Sequence, residues 1–139
     1  MTVHARSGAE APLPECDLIY VNAGATAPLR VWLDSLCPGG RLLFPLTPVE
    51  VDGRPAPGGM LLVTKSKDHQ FDARFICPAA FIPCAGARDD KTAAKLSAAF
   101  ARGDLGKVQS LRLDDAYDDT CWCAGNGWWL STSPLAKPS

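Results

Sequence analysis

Residues 17–24 have the sequence DLIYVNAG, and this stretch decides the fold. An acidic residue opens it, a continuous apolar run follows, and small or polar residues close it. A continuous apolar run is typical of a strand covered on both faces, as in the middle of a parallel sheet. We therefore predict a central parallel strand over these residues.

The residues after this strand predict a short amphipathic helix over 25–36. Its apolar side chains recur at three- and four-residue spacing, which places them on one face; they are Leu29, Trp32, Leu33 and Leu36. Thr26 is a suitable N-cap, and Pro28 suits the first turn, where a missing N–H has no intrahelical partner. The sequence PGG at 38–40 is expected to end the helix.

Further strands are predicted on both sides of a long loop. A strand at 41–46 completes a strand–helix–strand unit with a right-handed crossover. Residues 49–59 are rich in proline, glycine and charge, which predicts a loop. Strands at 60–64 and 71–76 are expected to form an antiparallel hairpin, followed by a short extended piece at 81–84.

The C-terminal third predicts one helix and a small group of strands. Residues 89–102 have an aspartate at the start, an apolar stripe and a glycine just after the end, all typical of a helix. Residues 108–113 alternate in polarity and predict a strand. Residues 121–130 predict a hairpin, because Asn126-Gly127 lies between strand formers.

Aromatic and acidic residues are concentrated in this hairpin region. Stacking on a ligand is one interpretation of its three tryptophans. A small core under the hairpin is favoured, because each buries a large apolar area; they are Trp122, Trp128 and Trp129. Residues 114–119 contain four aspartates, but they lack the spacing of a calcium loop and its closing glutamate. A solvated turn is the favoured interpretation.

The composition limits the functions open to the chain. It has 139 residues, 47% hydrophobic and 21% charged, so one globular domain is expected. The formal net charge of −1 argues against binding to nucleic acid or to a membrane surface. No apolar run is long enough to span a bilayer and no secretory signal is visible, so a soluble cytoplasmic protein is expected.

The cysteines predict free thiols rather than disulfides or a metal site. Several lie in apolar runs, and no export signal accompanies them. The Cys121-Trp122-Cys123 spacing is too tight for a zinc clip, and neither His4 nor His69 is near a cysteine pair. A nucleophilic role is disfavoured, because no histidine and acid accompany any of them. We expect buried free thiols and no metal; the six cysteines are Cys16, Cys37, Cys77, Cys84, Cys121 and Cys123.

Residues 3–90 resemble the protein-L-isoaspartate O-methyltransferase family, whose members use S-adenosylmethionine. The resemblance rests on a strand that ends in small residues, a helix, a PGGRL element and two later segments. These are DLIYVNAGAT at 17–26, Trp32-Leu33, LCPGGRLL at 36–43, LLVT at 61–64 and FIPC at 81–84. The PGGRL element alone is common to many methyltransferases of this fold, whereas its combination with VNAGAT is more specific.

The resemblance implies an α/β fold. It would be a partial Rossmann-like methyltransferase sheet, mostly parallel with an antiparallel hairpin edge, plus a small C-terminal α+β extension. Residues 1–88 would form the C-terminal half of a methyltransferase-like domain, and residues 89–139 a helix and a β-hairpin packed on it. The cofactor would lie across the carboxyl ends of the strands.

The same resemblance implies a set of binding residues. The residues matching the cofactor site are Ser7, Gly8, Asn22, Ala23 and Gly24, with Ser7 standing where the family has an aspartate. Asn22 and Thr26 would contact the substrate. The alternatives are that Asn22 satisfies the backbone at the strand end and that Thr26 only caps the helix. No catalytic acid or base is implied, because an isoaspartyl carboxylate is already a nucleophile and mainly needs positioning.

The sequence departs from the family at the cofactor cradle. The family's glycine-rich turn is absent, and the glycine pairs at 39–40 and 58–59 precede strands rather than helices. We expect the chain alone to bind S-adenosylmethionine weakly or not at all and to be inactive. Its first strand, without the family's neighbouring strands, would expose an edge and an apolar face. The alternatives are a non-enzymatic module that pairs through this edge, as a homodimer or with a complementing chain, and a piece of a longer active methyltransferase.

Overall fold

The computed structural model describes residues 9, 13–48, 58–79 and 90–135. The described strands are β1 (Cys16–Tyr20), β2 (Leu36–Leu46), β3 (Gly58–Lys65), β4 (Phe71–Ala79), β5 (Ser110–Arg112), β6 (Cys121–Ala124) and β7 (Trp129–Ser131). The helices are α1 (Arg30–Ser35) and α2 (Asp90–Arg102), and a 3-10 turn follows at Leu105–Lys107. The strands form one sheet in the order β1-β2-β3-β4-β5-β7-β6. The fold is of α/β type.

The sheet is mixed and mostly antiparallel, so the prediction of a mostly parallel sheet is wrong. Strands β1 and β2 are parallel, with a further parallel bridge between Ala25 and Leu46, and the other neighbouring pairs of the described sheet are antiparallel. A parallel pair needs a long crossover connection, which residues 21–35 provide. The short connection at 66–70 instead returns the chain antiparallel, and the connection through α2 also brings β5 in antiparallel to β4.

Strand β1 lies at one edge of the described sheet, so the prediction of a central strand covered on both faces is wrong. Leu18 and Tyr20 are 56% and 57% exposed, whereas Ile19 packs against the core. The exposed apolar face expected of this strand is confirmed, and β1 is the edge strand among the described residues. The apolar run therefore has one covered face and one open face.

Helix α1 begins later than predicted, and its N-cap is Leu29, which makes no side-chain capping bond. Thr26 is therefore not the cap, and Pro28 does not lie in the first turn. The reason is that Ala25 still belongs to the sheet: its N–H donates to Pro45 O at 2.9 Å, and its carbonyl accepts from Thr47 N at 2.9 Å. These bonds hold the chain extended where the spacing pattern predicts helix.

The PGG sequence at 38–40 does not follow the helix as a separate stop. It lies inside β2, where Gly39 has φ +85° and the register with β1 shifts between Cys16 and Leu18. Most L-residues adopt that backbone conformation only with strain, so glycine here allows an irregularity within the strand. The predicted strands at 41–46, 60–64 and 71–76 are confirmed as parts of β2, β3 and β4.

The C-terminal predictions are confirmed in outline. Helix α2 spans Asp90–Arg102, and the strand predicted at 108–113 is β5, which is shorter than expected. Strands β6 and β7 form the predicted hairpin, with Gly127 at φ +78° in its turn. The sheet continues across the predicted boundary at 88–89, because β4 pairs with β5. The extended piece predicted at 81–84 lies outside the described residues.

One core cluster joins both helices to one face of the sheet. Trp32 of α1 lies against Phe44 of β2, with ring centroids 5.7 Å apart. Leu96 of α2 is fully buried in the same cluster, together with Leu61 and Leu130 of the sheet. The favoured interpretation of the tryptophans is confirmed, because those of the hairpin region are 4–5% exposed.

Candidate functional site

The residues matching the family's binding site lie in different environments. Ser7 and Gly8 are outside the described residues. Asn22 is exposed just after β1, and Ala23 is half-buried. Gly24 is buried, and Thr26 is 1% exposed.

The segment that carries these residues runs on beside β2 after β1 ends. Val21 N donates to Leu43 O at 2.9 Å, and Ala25 N donates to Pro45 O at the same distance. Of the family-matched side chains in this segment, only that of Asn22 is a polar group presented to solvent. The segment leads directly to residues 27–30, which form part of a cleft.

The cleft lies between the start of α1, the start of α2 and the C-terminal strands, and its volume is about 930 Å3. Residues 27–30 form one wall, and the first turns of α2 form a second. The third wall comes from the β5–β6 connection and from the β6–β7 turn at 125–128. The side chains from α2 and from the connection are Lys91, Thr92, Lys95, Leu113, Asp115 and Tyr117.

The cleft is rimmed by cations that have no ion-pair partner among the described residues. Arg30, Lys91 and Lys95 are exposed, and the described part of the chain holds no carboxylate within ion-pair distance of them. Lys91 and Lys95 are one turn apart on α2 and therefore share a face. Asp115 is the acidic lining residue, and its Oδ1 accepts a hydrogen bond from Gly127 N at 2.9 Å. The cleft therefore attracts anions.

The aromatic wall of the cleft is formed by Tyr117 and Trp128. Tyr117 is 57% exposed, whereas Trp128 is 5% exposed. The indole of Trp128 lies directly over Gly125, and a Cβ at position 125 would overlap its ring nitrogen. Glycine at this position therefore permits the close approach of backbone and indole.

Sequence reasoning did not identify this cleft. Its residues lie at 27–30, 91–95 and 113–128, and their convergence depends on the antiparallel return of the chain after β4. Two local signals were available. Lys91 and Lys95 have the spacing of a shared helix face, and the turn at 125–128 places glycines beside an aromatic residue.

The thiols are free in the described residues, as predicted, but most are not buried. Cys123 is buried and Cys77 is exposed, while Cys16, Cys37 and Cys121 are half-buried. The prediction of burial is wrong for these four, because Cys16 and Cys37 lie at the open β1–β2 edge and Cys77 near the end of β4. Cys84 lies outside the described residues.

Two of these thiols are held in the neutral form. Burial raises the pKa of Cys123 to about 11. The hydrogen bond from Cys37 Sγ to Glu15 Oε1, 3.2 Å long, raises the pKa of Cys37 to about 11 as well. A thiol with a raised pKa is a poor nucleophile near neutral pH, so neither suits covalent catalysis.

The described ranges contain no group of three His, Cys, Asp or Glu side chains placed to hold a metal ion. Within the same ranges, no helix is long and apolar enough to cross a membrane.

The described residues do not fit S-adenosylmethionine. Its methionine end carries a sulfonium and an ammonium beside a single carboxylate, so this end is net positive and the cationic rim of the cleft disfavours it. Gly24 is buried beside the sheet-paired Ala25, so its backbone is not open to a ligand in the way that a glycine-rich cofactor turn requires.

Comparisons with known proteins give little further information. No family model matches the sequence, and no curated protein matches it. A solved structure of a Plasmodium falciparum protein described as a protein-L-isoaspartate O-methyltransferase, in complex with S-adenosyl-L-homocysteine, superposes with a TM-score of 0.41 at 20% identity. The match covers 52% of this chain and 30% of that chain. A likeness at this level does not assign this chain to the family.

Proposed function

We propose that this chain binds an anionic acceptor in the cleft and acts as the acceptor-binding part of a methyltransferase-like protein. The observation that carries the proposal is the set of unpaired cations, Arg30, Lys91 and Lys95, around a cleft that begins where the segment after β1 ends. The family motifs at 17–26 and 36–43 suggest the acceptor, a peptide that contains an isoaspartyl residue.

An isoaspartyl residue suits this cleft chemically. It presents a free carboxylate on a short branch, and the cleft offers cations to bind the carboxylate and Tyr117 to contact apolar groups beside it. The guanidinium of Arg30 matches a carboxylate with two parallel N–H donors. Holding the nucleophilic oxygen in one orientation is the main contribution that a protein makes to such a transfer.

We propose that the chain does not transfer methyl groups by itself. The supporting observations are the absence from the sequence of a glycine-rich turn that leads into a helix and the repulsion between the cleft cations and the cofactor's positive groups. A second polypeptide that carries the cofactor would then supply the methyl group.

Calorimetric titration with three ligands tests the proposal. We expect an isoaspartyl peptide to bind, an aspartyl peptide of the same sequence to bind more weakly, and S-adenosylhomocysteine to give no heat. Replacing Lys91 and Lys95 together by alanine should weaken peptide binding. Lys67→Ala should not, because Lys67 is an exposed cation in the β3–β4 connection, outside the cleft lining.

Two results would contradict the proposal. If the isoaspartyl peptide gives no heat with a sample that is shown by circular dichroism to be folded, then an isoaspartyl residue is not the acceptor. Micromolar binding of S-adenosylhomocysteine together with methylation of the peptide by the purified chain would show that it is an active enzyme.

A second candidate function is supported by the open edge of the sheet. Strand β1 has a free edge in the described sheet, and Leu18 and Tyr20 are exposed beside it, which suits the addition of a strand from another chain. Sedimentation over a concentration series tests this. If the molecular mass of the wild type rises with concentration while that of the Leu18→Ser variant stays at the monomer value, the interaction module is favoured. A constant monomer would exclude self-pairing.

A further inference from the structure

Trp128 differs from the other two tryptophans of the hairpin region in its ring N–H. Trp122 Nε1 donates to Gly103 O at 2.9 Å, and Trp129 Nε1 donates to Asp114 Oδ1 at 2.8 Å. Trp128 Nε1 donates to no atom in the described part of the chain, although Trp128 is only 5% exposed. An indole this deeply buried normally finds an acceptor for its N–H.

The unpaired N–H of Trp128 is not sealed inside the protein. Across the described residues, no fully buried side-chain nitrogen or oxygen lacks a hydrogen-bond partner. The ring nitrogen of Trp128 must therefore be open to solvent, and Trp128 lines the cleft together with Gly125. The nitrogen lies on the side of the ring that packs against Gly125, and Gly125 also lines the cleft.

The described residues do not supply an acceptor for this donor. Asp115 is the carboxylate in the cleft lining, and its Oδ1 accepts from Gly127 N rather than from the indole. The remaining charged groups of the lining are Arg30, Lys91 and Lys95, which are all donors. A cleft that presents a directional N–H among unpaired cations has the chemistry of an oxyanion site.

We propose that Trp128 Nε1, Lys91 and Lys95 form a subsite for one oxyanion group of a ligand, either a carboxylate or a phosphate. The lysines supply charge, and the indole N–H supplies direction, since it is fixed by a ring packed over Gly125. These three groups would be the donors that bind the anionic acceptor of the proposed function. The subsite rests on that function only because it uses the same cleft.

Indole resonances in a two-dimensional 1H–15N spectrum test the subsite directly. The chain has four tryptophans, so assigned spectra report each ring N–H separately. The probes are sodium succinate, inorganic phosphate and an isoaspartyl peptide, with sodium chloride at matched ionic strength as the control. We expect a saturable downfield shift of the Trp128 Nε1 proton with an oxyanion, while the Trp122 and Trp129 resonances stay in place.

Variants separate the subsite from general charge effects. Lys91→Met and Lys95→Met should each weaken oxyanion binding by at least about tenfold, the loss expected for one charge-assisted hydrogen bond. Lys67→Met should leave it unchanged. The spectral titration uses the wild-type protein. The test therefore does not depend on whether a Trp128→Phe variant folds.

The outcomes distinguish the subsite from the proposed function. A Trp128 shift with chloride equal to that with phosphate, or no saturable shift with any oxyanion, would overturn the subsite. Peptide binding that leaves the Trp128 resonance in place would overturn the subsite and keep the proposed function. A saturable phosphate or succinate shift without peptide binding would support the subsite and remove the isoaspartyl acceptor. Succinate and phosphate affinities identify which oxyanion the subsite prefers.

Discussion

The parallel β1–β2 edge and the C-terminal unit of β5, β6 and β7 are built in opposite ways. The first carries the segments whose sequence resembles a known family, yet its outer strand exposes Leu18 and Tyr20. The second matches no motif, yet its three tryptophans are buried, and two of their ring N–H groups are hydrogen-bonded within the protein. The recognisable part of the sequence is therefore the less enclosed part of the molecule.

The same contrast holds for the candidate site. Residues 27–30 come from the family-like part, whereas the aromatic wall, the acidic side chain and the glycine turn come from the C-terminal unit. The family-like segments locate one wall of the cleft. The chemistry of the cleft is mostly set by the part of the chain that these segments do not cover. Four predictions test this contrast, in order of decreasing expected effect.

Truncation of Trp122 should cost far more stability than truncation of Tyr20. Trp122 packs edge-on against Phe75 and Phe100, with ring centroids 5.2 Å apart in both pairs, and its carbonyl accepts from Arg102. We expect Trp122→Ala to lower the free energy of unfolding by about 3–5 kcal/mol. Tyr20→Ala should change it by less than about 0.5 kcal/mol.

Urea unfolding of both variants measures the two values. If Tyr20→Ala lowers the free energy of unfolding as much as Trp122→Ala does, the β1 edge is covered in solution. The contrast between the two regions would then be removed.

Lys65 is expected to stabilise the family-like region through one buried amine. Lys65 is 8% exposed, and its Nζ donates to Leu33 O at 3.3 Å and to Leu36 O at 3.0 Å, at the end of α1. Lys65→Met leaves both carbonyls without this donor, and we expect a loss of about 2–3 kcal/mol in the free energy of unfolding. Lys67→Met is the matched control and should be neutral in the same urea measurement. Equal free energies of unfolding for Lys65→Met and Lys67→Met would show that the end of α1 does not depend on this amine.

Gly125→Ala should disturb the C-terminal unit at the cleft. The added methyl group would overlap the Trp128 ring, and displacing the ring should cost about 1–2 kcal/mol. Gly106→Ala is the control, because a Cβ at position 106 meets no atom within 4 Å and the residue does not have positive φ. Thermal unfolding compares the two variants. A Gly125→Ala protein as stable as Gly106→Ala would show that the indole does not pack on this backbone.

Asp114 should give the C-terminal unit a small pH dependence. The hydrogen bond from Trp129 Nε1 holds the pKa of Asp114 below its usual range, with further lowering by the Ala116 N–H. A lowered folded-state pKa stabilises the fold above the unfolded-state value of about 3.9, and this stabilisation is lost as pH falls through the folded-state pKa. Asp114→Ala should therefore lower Tm near neutral pH, with the difference from wild type closing in acid.

The control for Asp114 is Asp119→Ala, since Asp119 is exposed and its carboxylate has no hydrogen-bond partner among the described residues. If the Tm of Asp114→Ala differs from that of wild type by the same amount at every pH, the ionised carboxylate is not what stabilises the Trp129 ring.

Local signals predicted some elements correctly, because the same residues that carry the signal form the element. Helix α2 has its acidic start and apolar stripe within one segment, and the β6–β7 turn has Asn126-Gly127 at its centre. Strand direction and neighbours were predicted wrongly, because a run of apolar residues does not encode which strand pairs with it. Thr26 shows the same limit: its helix-capping pattern is overridden by the pairing of Ala25 with β2.

The cleft was beyond prediction from sequence for a different physical reason. The family-matched residues Asn22, Ala23 and Gly24 follow a strand, and their position at its end is a local property. Arg30, Lys91 and Trp128 become neighbours only through the topology of the whole sheet. A sequence pattern can indicate each side chain's local role, but the direction of α2 and of the hairpin decides which side chains meet.

The position of the cleft walls also affects the order in which the protein can assemble. Ala27 and Trp128 are about one hundred positions apart in the sequence, so closing the cleft requires a large loop closure. The β3–β4 hairpin joins neighbouring segments and can form early, whereas non-local contacts such as these form slowly. Ligand binding in the cleft therefore reports completion of folding, and a nascent chain not yet extended beyond β5 would have most of its sheet but no complete site.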